Sequence, residues 1–259
     1  VNLKIGVFIK QVPDTNSKMA LKDGKVDETG LKFVINPYDE FAIEEAVKTK
    51  ELWAKSGATV EVVGILAGPK EASKALRDAF AVGIDRGIHV LDEQKRLWDP
   101  LATARVLARV ASEEKFHVIF AGKQAVDSDS HAVATMVAEI LKMPSVSVVS
   151  KLEWSGTEAV KVERDIDGGM KEIIQVQLPA LLTANKGLNK MRLASLPNIR
   201  AAAKKEIKEL PLPEIKNSWT LKAWTTPPER GAVQMISGAN PAEQAAELLR
   251  LLRDEAKVI

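Results

Sequence analysis

VERDIDGGMKEIIQVQLPALLTANKGLNKMRLASLPNIRAAAKK, residues 162–205, decides the reading of this chain. Polar Glu163, Arg164, Asp165 and Asp167 lead into Gly168 and Gly169, and EIIQVQL beyond them alternates apolar with polar side chains. That alternation is the two-residue period of a strand, so the stretch predicts two strands around a glycine turn. LPALLTA at 178–184 is nearly all apolar, as a buried strand would be. Next comes LASLPNI at 193–199, whose proline and asparagine argue against a regular strand or helix. Arg192 and Arg200 bracket it, and Lys204 and Lys205 follow. Apolar Leu196, Pro197 and Ile199 on an irregular loop beside positive charge suggest a docking peptide, although an exposed leucine is also ordinary on any surface.

Upstream, short apolar runs alternate with longer helical patterns. LKIGVFI at 3–9, TVEVVGIL at 59–66, GIHVLD at 87–92 and HVIFAG at 117–122 are strand candidates, nearly continuous in apolar residues. DEFAIEEAVKTKELWAK at 39–55, KEASKALRDAFAVG at 70–83 and DPLATARVLARVASEEK at 99–115 repeat apolar residues at helical spacing, with acids or a proline at their starts. SHAVATMVAEILKM at 130–143 adds a helix before SVSVVSKLEW at 145–154 returns to strand. Strands alternating with helices predict an α/β fold with a doubly wound, mainly parallel sheet, to which the glycine hairpin is added.

The end of the chain differs. PLPEI and TTPPER are proline-rich, Trp219 and Trp224 lie between them, and PAEQAAELLRLLRDEA from Pro241 has the pattern of an amphipathic helix opened by proline. A long irregular tail inside one compact domain is improbable, so residues 206–259 are expected to form a C-terminal arm over another surface. A disordered linker with a terminal helix is the alternative, which two tryptophans disfavour. The expected organisation is an α/β domain at 1–190, a recognition loop at 191–205 and the arm at 206–259.

With 259 residues and 46% apolar side chains the chain can bury a sizeable core. Its 37 lysines and arginines nearly balance 35 acids, so charge gives no general argument for nucleic acid or membrane binding. Cysteine is absent, which removes disulfides, thiolate metal sites and a cysteine nucleophile. The opening VNLKIGVFIKQV has neither the apolar core nor the cleavage pattern of a signal peptide, and no run reaches the length of a membrane span. A soluble intracellular protein is the default expectation.

Motifs for bond chemistry are sparse. The three histidines, His89, His117 and His131, show no metal-ligand spacing, and no GxSxG elbow, HExxH, Walker loop or GxGxxG occurs. What remains is a nucleotide site at the carboxyl ends of the strands, the usual ligand crevice of such a sheet. Gly122, Lys123, Gln124, Ala125, Val126, Asp127, Ser128, Asp129 and Ser130 lie between a strand and a helix expected to begin near Ser130. Free N–H groups from about His131 through Ala132 and Val133 to Ala134 would face an anion, with Ser128 or Ser130 adding hydroxyls. Asp127 and Asp129 serve equally well as helix caps. Asn36, Pro37, Tyr38 and Asp39 form a turn signal running into a helix, where Asn36 or Asp39 could be a cap and Tyr38 could pack under its own loop.

In these segments the chain resembles the beta subunit of electron transfer flavoproteins. VERDIDGG, LPALLTA, GLN with an arginine, and the LPNI loop with its lysines follow in the family's order; IKQVPD at 9–14, NPYDEFAIEEA at 36–46 and GKQAVDSD at 122–129 extend the similarity upstream. The resemblance implies an electron carrier subunit, not an enzyme with its own catalytic residues, in a heterodimer whose alpha subunit holds most of the FAD. It implies that the loop at 122–133 holds the phosphate of AMP, that groups of Phe8, Asn36 to Asp39 and Ala67 surround the adenosine, and that Tyr38 lies near the flavin. It also implies that Leu196 inserts into acyl-CoA dehydrogenases, with Arg192, Arg200, Lys204 and Lys205 as rim charges, and a cytoplasmic location or the mitochondrial matrix in a eukaryote. IKQVPDTNSK and NPYDEF also look like members from electron-bifurcating systems, in which a second FAD replaces AMP. His131, Ala132 and Val133 stand where AMP-binding members commonly carry asparagine, glutamine and threonine, which leaves the backbone cradle but removes side-chain contacts. Met191 replaces a common proline before the arginine. A nucleotide-hydrolysing or adenylylating enzyme would have to work with Asp127, Asp129 and Lys123, and a standalone nucleotide sensor would need no partner; neither explains the loop at 193–199.

Overall fold

The computed structural model describes residues 2–94, 99–228 and 231–259. Glu229 and Arg230 of the TTPPER stretch lie outside them. The chain divides into two units, one of residues 1–19 and 28–222 and one of residues 20–27 and 223–259.

In chain order the elements are β1 (Asn2–Phe8), β2 (Gln11–Pro13), β3 (Leu21–Lys22), β4 (Lys25–Val26), β5 (Phe33–Ile35), α1 (Pro37–Lys55), β6 (Thr59–Gly68), α2 (Ser73–Ala81), β7 (Arg86–Leu91) and α3 (Pro100–Glu114). They continue with β8 (Val118–Gly122), α4 (Val133–Leu141), β9 (Ser145–Ser155), β10 (Ala159–Asp165), β11 (Lys171–Gln177), β12 (Ala180–Ala184), α5 (Leu196–Lys204), β13 (Ile207–Pro211) and α6 (Pro241–Arg250).

The larger unit is built on one sheet of order β11-β10-β9-β12-β8-β1-β6-β7-β13. Its strands run parallel from β9 through β12, β8, β1, β6 and β7 to β13, and only the β9-β10-β11 meander is antiparallel. The doubly wound, mainly parallel sheet with an added hairpin is therefore present. Helices cover both faces because strand residues alternate between two cores. Ile5, Val62, Leu66, Phe120 and Leu182 join Ile43 of α1 and Leu76 of α2 on one side. Val63, Ile65, Ile119 and Leu181 join Leu107 of α3 and Val137 of α4 on the other. Trp53 of α1 meets Trp154 of β9 edge to face, ring centres 4.8 Å apart.

The β10–β11 hairpin turns where both glycines occupy the left-handed region, Gly168 at φ 75° and Gly169 at φ 74°. The segment from residue 206, expected to form an arm, opens with a strand. Ile207–Pro211 forms β13, parallel to β7 at the sheet edge, and Leu210, Leu212 and Ile215 pack against the second core. The Asp99 carboxylate then accepts from Ser218 N.

The smaller unit contains the β3–β4 hairpin and α6. Pro241 opens α6 as expected, and Asn240 Oδ1 caps it by accepting from Glu243 N at 3.0 Å while Glu243 Oε2 accepts from Ala239 N at 2.9 Å. Val233 and Met235 are 85% and 83% exposed, so this unit presents apolar side chains to solvent.

Candidate functional site

From β1 the chain steps outward to β6 and β7, then crosses to β8 on the other side of β1. The carboxyl ends of β1 and β8 thus flank the switch point, where a doubly wound sheet leaves its ligand crevice. Residues 9–11 after β1, Asn36 to Asp39 opening α1, and the loop after β8 meet there.

Asp39 ties them together. Its Oδ2 accepts from Lys10 N at 2.8 Å, and its Oδ1 accepts from Gly122 N at 3.1 Å and Asn36 Nδ2 at 2.8 Å. Burial pushes this carboxyl up to about 7, against the pull of those three donors and the nearby Lys10 charge. Asn36 occupies the helix-cap position without capping. Its side chain reaches the other loop instead, donating to Gln124 O at 2.8 Å and accepting from Val126 N at 3.2 Å. Gly122 is required by this closeness: a Cβ there would lie 2.3 Å from Asp39 Oδ1 and 2.7 Å from Tyr38 Cβ. Gly122→Ala is expected to force the turn at 36–39 away from the loop and lower thermal stability; a wild-type melting temperature of the purified variant would refute that.

The capping alternative for the acidic loop residues is corrected. The Asp127 carboxylate lies 2.6 Å from Lys10 Nζ, and Asp129 Oδ1 accepts from Gln124 Nε2 at 2.6 Å. The helix begins at Val133, not near Ser130, and no side chain caps it at Ala132. Asp129 and His131 take left-handed φ values of 49° and 51°, which carry the chain from the loop into α4. The N–H groups of Val133, Ala134 and Thr135 have no acceptor within their own helix. Two cations and a histidine stand close by. Burial first, then the charges of Lys123 and Arg164, hold the His131 imidazole below its ordinary range. Lys123 Nζ sits 5.1 Å from the centre of the Tyr38 ring. Arg164 Nε is buried with no hydrogen-bond partner in the structure.

An uncapped helix start with lysine, arginine and histidine nearby suits a phosphate group. The adenosine-side residues stand differently from one another. Phe8 is buried with its ring in the second core, and the Asn36 and Asp39 side chains are committed to the loop contacts above, so these three can meet a ligand only through main chain. Pro37, Tyr38 and Ala67 are half-buried, while Ser128 and Ser130 are exposed. Among the described residues no cluster of histidines and acids could hold a metal ion. His89 Nε2 lies 2.9 Å from Gly68 O, and His117 Nδ1 accepts from Lys4 N at 3.1 Å, which gives both histidines structural partners.

The docking segment is not irregular. Ser195 caps α5 by accepting from Asn198 N at 3.3 Å, and Pro197 sits in the first turn, where its missing N–H costs nothing. Leu193, Leu196 and Ile199 are 96%, 72% and 48% exposed. Of the bases expected on the rim, Arg200 and Lys204 are exposed. Arg192 is paired with Glu44 and Glu51, and Lys205 Nζ donates to Ile84 O at 2.7 Å. Sequence reasoning passed over Lys10 and Arg164, although both stand inside quoted motifs, and over the glutamates of α1.

A family model described as "Electron transfer flavoprotein domain" matches residues 23–215. The chain is 38% identical over 273 residues to "Electron transfer flavoprotein subunit beta" of Bacillus subtilis (strain 168), covering 99% of this chain and 100% of that protein. It is 36% identical over 264 residues to "Electron transfer flavoprotein subunit beta, mitochondrial" of Arabidopsis thaliana, covering 99% and 100% respectively. Against the human protein named "Electron transfer flavoprotein subunit beta" identity is 40% over 210 residues, 79% of this chain and 80% of the relative.

Proposed function

The chain belongs to the electron transfer flavoprotein family as a beta subunit, and from that premise we propose that it cradles AMP at the β1–β8 crevice and docks a dehydrogenase through α5. The observation that carries the AMP reading is the uncapped start of α4 beside Lys123, His131 and Arg164. Backbone N–H groups of Val133 to Thr135 hold the phosphate there, and Gly122 to Ala132 wrap it. The loss of polar side chains at 131–133 is offset by main-chain donors and by the charges of Lys123 and Arg164, beside the neutral His131 imidazole. Asn36 and Asp39 hold the two halves of the crevice together, while Phe8 and Ala67 line the adenosine side.

The partner is the family's alpha subunit, which holds most of the FAD. When bound, the flavin supplies the electron-accepting chemistry. This chain performs no bond chemistry of its own. It encloses the cofactor, with Tyr38 as an aromatic wall near the isoalloxazine, and it recognises the donor. Leu196, Pro197 and Ile199 form the apolar contact with an acyl-CoA or related dehydrogenase, with Arg200 and Lys204 on its rim. Within residues 206–259, the part that follows the edge strand β13 forms the C-terminal arm over the alpha subunit. No helix among the described residues is long and apolar enough to cross a membrane. The proposed location is the cytoplasm, or the mitochondrial matrix in a eukaryote.

Denaturing the purified protein and identifying the released nucleotides by mass spectrometry tests the cradle. AMP is the expected result. A second FAD in its place would move the chain to the bifurcating type, and release of neither would remove the nucleotide claim.

A further inference from the structure

The segment that presents Leu196 is fastened at both ends. Upstream, Arg192 donates from Nε and Nη2 to Glu44 at 3.0 Å each, from its backbone N to Glu44 at 3.0 Å, and from Nη1 and Nη2 to Glu51 at 2.5 and 3.2 Å. Asn189 Nδ2 donates to Phe41 O and to Glu45 Oε2, both at 2.9 Å. Downstream, Arg77 Nη1 donates to Ala202 O, Ala203 O and Lys205 O at 3.1, 3.0 and 3.1 Å, closing the carboxyl end of α5. Between these fastenings Leu193 and Leu196 stay in solvent, while Ala202 is buried.

A guanidinium shared by two carboxylates cannot serve as a steering charge. Arg192 with Glu44 and Glu51 carries a net charge of −1, and the side chain of Glu44 is only 8% exposed. The fork does match two carboxylates bidentately, which fixes direction as well as position. An apolar peptide ordered in advance loses less freedom on binding than a loose one, so its partner is bound more tightly.

We propose that Arg192 is a positioning residue: clamped by Glu44 and Glu51 of α1, it preorganises the start of α5 so that Leu196 meets the donor protein. The proposal rests on the reading that Leu196 docks, and the test separates the two.

The experiment measures reduction of the heterodimer, formed with the alpha subunit, by a reduced acyl-CoA dehydrogenase, reading KM for the heterodimer separately from kcat. Arg192→Gln and Glu44→Gln are each expected to raise KM about tenfold with little change in kcat. Arg192→Lys, which keeps the charge but not the fork, is expected to behave like Arg192→Gln. Combining Arg192→Gln with Leu196→Ala should be no worse than Leu196→Ala alone, because a clamp without its anchor has nothing to aim. Glu51 is half-exposed, so Glu51→Gln keeps the fold even if the buried changes do not; it should raise KM about threefold and speed hydrogen exchange at Asn198 and Ile199. A KM raised by Arg192→Gln but unchanged in both Glu44→Gln and Glu51→Gln would make Arg192 a direct contact and overturn the clamp. Wild-type KM in all the clamp variants with a slow Leu196→Ala would overturn the clamp and leave docking intact. A silent Leu196→Ala would remove both.

Discussion

Asp39→Ala is expected to strip nucleotide from the purified protein and to lower its stability by about 3 kcal/mol, because buried donors left without an acceptor cost about 1–3 kcal/mol each. Lys10 N and Gly122 N lose their partner outright, and Asn36 Nδ2 keeps only Gln124 O. The loss is local in cause and wide in effect, since the same carboxylate joins the strand ends of β1 and β8 to the start of α1. A melting curve and nucleotide analysis on one preparation check both halves of the expectation; a variant that melts like wild type and retains its nucleotide would show that the three segments do not depend on Asp39. The carboxyl also makes a pH prediction. Its folded-state value, about 7, lies above the ordinary 3.8, so the folded protein holds this proton more tightly than the unfolded chain. The contribution is complete below pH 3.8 and is lost as pH rises to about 7. Asp39→Asn, which cannot titrate, is therefore expected to flatten the fall in melting temperature across that window. An unchanged slope would assign the pH dependence to other groups.

Leu196→Ala is expected to slow reduction by the donor dehydrogenase by about ten- to a hundredfold in kcat/KM, the equivalent of removing one aliphatic anchor worth about 1.5–3 kcal/mol. The side chain is 72% exposed at the first position of α5, so little stability is at stake and flavin content should be intact. Such a modest anchor suits a carrier, which must leave each donor after electron transfer. Kinetics unchanged from wild type would exclude Leu196 as the contact.

The parallel sheet was legible because its strands are covered on both faces and its helices carry clean spacing. The glycine hairpin was legible from Gly168 and Gly169. Proline hides α5 in the sequence. Pro197 looked like a breaker, yet a proline behind a serine cap is a helix start, and Ser195 with Asn198 carried that signal. The start of α4 was placed too early because Ser130 resembles a cap, while the left-handed residues Asp129 and His131 delay the helix. The loop after β8 and the turn at 36–39 were both singled out in the sequence, and the structure brings them together. The bracing was not legible. Lys10 and Asp127 are 117 residues apart, and Arg192 is 148 from Glu44, so only the folded topology brings each pair together.

The central claim is that this chain is one half of a flavin-carrying pair, with a nucleotide cradle of its own. Co-expression with a candidate alpha subunit, followed by an absorbance spectrum and nucleotide stoichiometry of the purified complex, tests it directly. The predicted result is a yellow heterodimer holding one flavin and one AMP per pair. A colourless chain that purifies alone and releases no nucleotide would contradict it.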